Sequence, residues 1–187
     1  KFGTVDVLVN NAGFGIHNTV NKITIEEMES QMMTNFFGMM YCTKIFLPKM
    51  LEQRSGHIVN VASVAASIGI PGMASYCASK FAMLGFSESL SHELKGTGVG
   101  ITVVSPIMVR TNFFNHESFG NMPRYSATSL SSKTVANAVV RAASSPRLEI
   151  VVPQFVRLAI WLKQTLPYLI NPIIGRIFRK SMKSKKD

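Results

Sequence analysis

The sequence predicts an α/β fold: a parallel sheet with helices on both faces, followed by a helical tail. Three observations carry this expectation. Short β-branched runs alternate with long helical periodicities. Runs such as VDVLV and ITVV show little apolar–polar alternation, as expected of strands buried on both faces. Hydrophobic residues make up 47% and charged residues 16% of the chain, which excludes disorder as the main state. The 187 residues allow one domain with a real core and not two full ones.

Four strands are predicted, at Val5–Val9, His57–Val61, Ile101–Val104 and Glu149–Val152. Thr24 reads as a helix N-cap, with Glu27 closing a capping box. Apolar residues recur through Met28, Met32, Phe36, Met39, Met40 and Ile45, so this helix runs to about Gln53 with a kink near Pro48. A second helix spans about Met73 to Leu94 and stops at Gly96. A third runs from about Ser132 to Ala143, ended by Ser144, Ser145 and Pro146. Asn112 to Leu130 has no regular pattern. It follows the C-terminal end of a strand, where open α/β sheets bind ligands, so a substrate lid and an ordinary surface loop both fit.

The formal charge of +10 is concentrated at the C-terminus. Residues 1–146 hold 11 Lys/Arg and 8 Asp/Glu, whereas residues 147–187 hold 9 and 2. The chain therefore divides into a domain, residues 1–152, and an apolar, basic tail, residues 153–187. In the tail, Phe155, Leu158, Ala159, Leu162 and Leu166 follow helical spacing until Pro167. Charges and prolines interrupt the tail before it reaches the ~20 apolar residues a membrane span needs. An amphipathic segment lying on a membrane face fits, with Trp161 and Tyr168 suited to the interface. Packing on its own domain or on a partner subunit is the other arrangement. Interleaved basic residues favour the membrane. A nucleic-acid-binding tail would set stacking aromatics among Lys and Arg. Here the aromatics sit with aliphatics, so no nucleic-acid partner is expected.

Cys42 and Cys77 cannot build a disulfide framework, and a reducing, cytoplasmic setting is expected. His17, His57, His92 and His116 have no ligand spacing, so no metal is expected.

Tyr76 and Lys80 stand four apart on the second helix and so share a face. An ammonium beside a phenol favours the phenolate and lowers its pKa, which suits a general acid or base. Alone, this spacing is weak. Ser63 follows the second strand and could be only a helix cap. Asn35 interrupts an apolar helix and could be only a solvent-facing polar residue. Asn10-Asn11-Ala12-Gly13 follows the first strand and could be only a turn. Their joint occurrence in this order is not easily accidental.

The segments DVLVNNAG at 6–13, Asn35, GHIVNVAS at 56–63, YCASK at 76–80 and SPIMVRT at 105–111 resemble the short-chain dehydrogenase/reductase family over about residues 1–152. The resemblance implies a partial Rossmann-type doubly wound sheet and an NAD(P)(H)-dependent oxidoreductase acting on a small carbonyl or alcohol. It implies that Tyr76 exchanges a proton with the substrate oxygen, Ser63 orients that oxygen, and Lys80 tunes Tyr76 and bonds the nicotinamide ribose. It gives Asn35 a water linked to Lys80. Asn11, Ala12, Gly13, Val109 and Thr111 would contact the cofactor. A homodimer or homotetramer through the two long helices is also implied, with Ala78, Ala82 and Gly85 small enough for close approach.

Two departures stand out. No Gly-rich phosphate loop is present, and GFGIH at 13–17 has neither its spacing nor a clear following helix. The chain is therefore expected to be the C-terminal part of a longer protein and inactive alone. Ile107 stands where the family has Gly, and its side chain would crowd the nicotinamide. Phe113, Phe114, Phe119 and the apolar tail suggest a lipophilic substrate. A non-catalytic binding or scaffold protein would be expected to have lost Tyr76, Lys80 or Ser63, and all three are present.

Overall fold

The computed structural model describes residues 3–120, 128–145 and 147–183, with side chains through residue 176. In chain order the elements are β1 (Val7–Asn10), α1 (Ile25–Met32), a π-helical segment (Met33–Phe37), α2 (Gly38–Gln53), β2 (Gly56–Val61), α3 (Ala74–Glu93) and β3 (Val99–Pro106). Then follow β4 (Val109–Arg110), β5 (Leu130–Ser131), α4 (Ser132–Ala142), β6 (Glu149–Val152), α5 (Val156–Thr165) and α6 (Pro167–Lys183).

Strands β1, β2, β3 and β6 form one parallel sheet in that order. Parallel neighbours need crossovers, which the helices supply. Successive residues of a strand point to opposite faces, and β2 shows the consequence. Ile58 packs with Met50, Leu90, Leu94 and Ile101 under α2 and α3. Val59 packs with Val104, Ala138, Ala142 and Val152 under α4. The sheet is covered on both sides, as predicted. Strand β1 starts two residues later than predicted, and Val7 and Val9 remain 41% and 44% exposed at the sheet edge.

The capping box forms as expected: the Thr24 hydroxyl accepts the Glu27 N–H, and the Glu27 carboxylate accepts the Thr24 N–H. The departure from regular α geometry falls at Met33–Phe37 rather than at Pro48, and α2 runs through Pro48 to Gln53. Asn35, at the centre of the π segment, is fully buried and bonded outside the helix. Such bulges arise where a side chain is recruited from a helix for another task.

Past β4 the chain makes short 3-10 turns at Asn112–Asn115 and Glu117–Phe119, and Phe119 is buried. The centre of the predicted lid or loop, 121–127, lies outside the described residues, as do Pro146 and the end of the tail. Helix α5 returns to the domain: Ile160 is buried, and the Lys163 ammonium donates to the Ser67 carbonyl at 3.0 Å. Helix α6 has α5 as its main neighbour. Among the described residues no helix is long and apolar enough to cross a membrane.

Candidate active site

The site lies at the C-terminal ends of the parallel strands. Ser63 follows β2 directly, and α3 brings Tyr76 and Lys80 beneath the same opening. Tyr76 is 8% exposed and Lys80 3% exposed. The Ser63 hydroxyl lies close enough to the Tyr76 phenol to favour its charged form, donates to the Pro106 carbonyl at 3.4 Å and accepts the Ala65 N–H at 3.1 Å. Ser63 is thus both a local cap and a partner of Tyr76. The Lys80 ammonium donates to the Val61 carbonyl at 3.1 Å, touches the Met83 sulfur at 3.4 Å, and lies 5.8 Å from the Tyr76 ring centroid.

The electrostatics differ from the sequence expectation. Burial pushes the Tyr76 phenol up from 10.0 to about 12, and the nearby Ser63 hydroxyl offsets only part of this. Burial also pulls Lys80 down from 10.5 to about 8. A dry site penalises the charge on both groups. With its ammonium turned to a carbonyl and a sulfur, Lys80 does not outweigh that penalty at the phenol. Tyr76 is therefore held in its neutral, protonated form.

Asn35 is brought to the site, in a more structural way than expected. Its Oδ1 accepts the Phe14 N–H, and its Nδ2 donates to the Phe14 carbonyl and to Ser79 Oγ, each at 2.9 Å. Ser79 donates onward to the Tyr76 carbonyl at 2.7 Å. Of the NNAG turn, Asn10 points inward to Asn60 at 2.8 Å, while Asn11, Ala12 and Gly13 are exposed at the opening. Sequence reasoning missed Ser79 and Gln31, which is buried and holds the Ile16 N–H at 3.0 Å. The available signal was polar side chains on otherwise apolar helix faces.

Asn11, Gly13, Ser63, Tyr76, Lys80, Val109 and Thr111 line one cavity of about 880 Å³. Ile70, Met73, Phe113, Phe114 and Phe119 add an apolar wall to it, with the Phe113 ring 5.3 Å from that of Tyr76. Ile107 also lines it, its N–H held by the Val152 carbonyl at 3.0 Å. No Asp or Glu is among the described lining residues. The donor set fits the hydroxyls of the nicotinamide ribose and the carboxamide of a dinucleotide: a buried ammonium with no carboxylate among the described lining residues, beside exposed loop backbone. Among the described residues no group of three or more His, Cys, Asp or Glu could hold a metal.

Fold and site together define a Rossmann-type α/β domain. The chain belongs to the short chain dehydrogenase family, whose sequence pattern matches residues 1–120. It is 32% identical over 191 residues to the dehydrogenase/reductase SDR family member 7B of Mus musculus, covering 98% of this chain and 59% of that protein. It is 44% identical over 117 residues to retinol dehydrogenase 10-B of Danio rerio, covering 61% of this chain and 35% of that protein. A solved short chain dehydrogenase/reductase from Burkholderia phymatum, in complex with NAD, superposes with a TM-score of 0.78 at 26% identity, covering 90% of this chain and 68% of that one.

Proposed function

We propose that this chain carries the reaction centre of an NAD(P)(H)-dependent oxidoreductase that interconverts a lipophilic ketone and a secondary alcohol. The observation that carries this reading is the meeting of half-buried Ser63 with buried Tyr76 and Lys80 in the lining of one mainly apolar cavity. When bound, the nicotinamide supplies or takes the hydride. Asn11, Ala12, Gly13, Val109, Thr111 and Lys80 would hold its nicotinamide end. In reduction, Ser63 holds the carbonyl oxygen and Tyr76 gives it the phenolic proton. In oxidation, Tyr76 takes that proton back from the hydroxyl. Asn35 keeps the neighbouring backbone in place, and in this reading its Oδ1 would also hold a water that feeds a proton towards Lys80.

The test is turnover of apolar ketones with NADH and NADPH by the intact protein. Tyr76→Phe keeps the ring and removes the transferable proton, so reduction should fall about 10²- to 10⁴-fold with cofactor affinity retained. A variant within a few-fold of wild type would reject the role.

Two partner readings accompany this one. The outer face of the long helices carries exposed Tyr41, Ile45 and Phe81. A Cβ on Gly85 would meet nothing within 4 Å, so that glycine is not needed for packing inside the subunit. A homodimer or homotetramer through α2 and α3 would cover this face. Gly85→Arg should shift the sedimenting species towards monomer; a wild-type monomer at micromolar concentration would exclude the assembly. The tail is the second surface: exposed Phe155, Leu158, Trp161 and Leu169 lie among basic residues and suit a peripheral contact at the cytoplasmic face of a membrane.

A further inference from the structure

The loop after β1 is gripped by two buried amides four residues apart on one helical segment. Asn35 takes both the N–H and the carbonyl of Phe14. Gln31, with no exposed surface, accepts the Ile16 N–H through Oε1 at 3.0 Å and donates from Nε2 to the Glu27 carbonyl at 3.1 Å. Both polar functions of Gln31 are therefore used, one to hold the loop and one to anchor the amide to its own helix.

The held loop touches both reactive side chains. A Cβ on Gly13 would stand 3.3 Å from Lys80 Nζ. A Cβ on Gly15 would stand 3.2 Å from Tyr76 Cδ2 and 2.7 Å from Phe113 Cζ. The bare Gly15 backbone thus runs beside the Tyr76 ring with no room for a methyl between them, and a movement of the loop alters the room that ring has.

We propose that Gln31 is a positioning residue for Tyr76: by holding the Ile16 N–H it keeps the Gly13–Ile16 backbone against the Tyr76 ring and the Lys80 ammonium. This rests on Tyr76 being the general acid and base. Ile16 is buried, so water cannot replace the lost acceptor, and the loop would move to find another. Displacing a reacting group by about 1 Å can cost about 10²-fold in rate.

The test compares Gln31→Glu and Gln31→Leu in the intact protein. A protonated carboxyl is nearly isosteric with the amide, since its carbonyl accepts the Ile16 N–H and its hydroxyl donates to the Glu27 carbonyl. Ionisation removes that donor and leaves a buried charge. Among the described residues, the titratable groups on the elements around the clamp include His17 in the held loop, Glu26, Glu27 and Glu29 on the same helix, and Tyr76, Cys77 and Lys80 on α3, which packs on α1.

Gln31→Glu should keep near-wild-type kcat at low pH. It should lose about tenfold as pH rises through the introduced carboxyl, an acidic limb that wild type lacks, with KM for the ketone within about twofold. Gln31→Leu should lose at least about tenfold in kcat at every pH. Titration of ¹³C-labelled tyrosine by NMR gives a readout that does not need turnover. In Gln31→Leu, Tyr76 should titrate below the wild-type value of about 12, because a loosened loop admits water. Wild-type kcat, pH profile and Tyr76 titration in both variants would overturn the proposal. So would a loss of thermal stability with Tyr76 titrating as in wild type. If Gln31→Leu fails to fold, the pH limb of Gln31→Glu decides. A wild-type protein that reduces no ketone would reject the catalytic reading instead, and the tyrosine titration would still judge Gln31.

Discussion

Asn35 and Lys80 converge on one point beside Gly13: a Cβ there would lie 3.1 Å from Asn35 Oδ1 and 3.3 Å from Lys80 Nζ. Both contacts are tighter than a side-chain carbon comfortably accepts, and neither partner has slack. Asn35 is bonded to Phe14 and Ser79, and Lys80 to the Val61 carbonyl. Gly13→Ala should therefore displace one of the two by a few tenths of an ångström. The expected outcome is a loss of about tenfold in kcat for ketone reduction with the fold retained, checked by steady-state kinetics alongside circular dichroism. Unchanged kcat would show that the two groups do not act through that point.

Ser79 links the Asn35 amide to the Tyr76 backbone through bonds of 2.9 Å and 2.7 Å in a site with no exposed surface on Ser79. Removing its hydroxyl leaves a buried Asn35 N–H without an acceptor, at a cost of about 1–3 kcal/mol. Ser79→Ala should lower the denaturation midpoint accordingly. Ser79→Thr should recover part of the loss, because the hydroxyl is restored. Urea titrations of the three proteins measure this directly.

Lys80 and Tyr76 set opposite slopes of stability against pH. Lys80 titrates at about 8 in the fold and at 10.5 as an ordinary lysine. Between those values the unfolded chain binds more protons, so stability rises with pH; below about 8 the burial penalty on the ammonium is fully present. Tyr76 titrates at about 12 in the fold against 10.0 ordinarily, so above 10 the folded state holds the extra proton and stability falls. Lys80→Met should be inactive yet gain stability relative to wild type at pH 7, and that gain should shrink as pH rises from 8 to 10. Thermal unfolding across this range checks the sign.

Trp161 is the only tryptophan in the chain and is 57% exposed on α5. Its fluorescence therefore reports the tail without interference. Vesicles containing phosphatidylserine should shift its emission to the blue, and neutral vesicles should do so less, because basic residues of the tail favour an anionic surface. Added salt should weaken the effect. Emission unchanged by vesicles of either kind would remove the membrane contact and favour packing of the tail on a partner subunit.

Local chemistry by itself determined a large part of this protein. The β-branched runs, the Thr24–Glu27 capping box and the Gly96 stop are written in neighbouring residues, and four strands and three helices follow from them. The order Asn35, Ser63, Tyr76, Lys80 also points to one candidate site, because four weak signals in a fixed order make a strong one, and the fold brings Ser63, Tyr76 and Lys80 to one cavity. Tertiary structure decided what depends on distant residues meeting. The π segment sits at Met33–Phe37 because Asn35 is drawn to Phe14 and Ser79, partners 21 and 44 residues away in sequence. The direction of the Tyr76 shift was equally hidden. Spacing reveals that an ammonium lies on the same helix face, but only packing reveals how dry the phenol is and that Lys80 turns to the Val61 carbonyl. Sequence patterns encode which groups share a face; solvation and long-range hydrogen bonding, which set their charge and position, exist only once the faces have closed on one another.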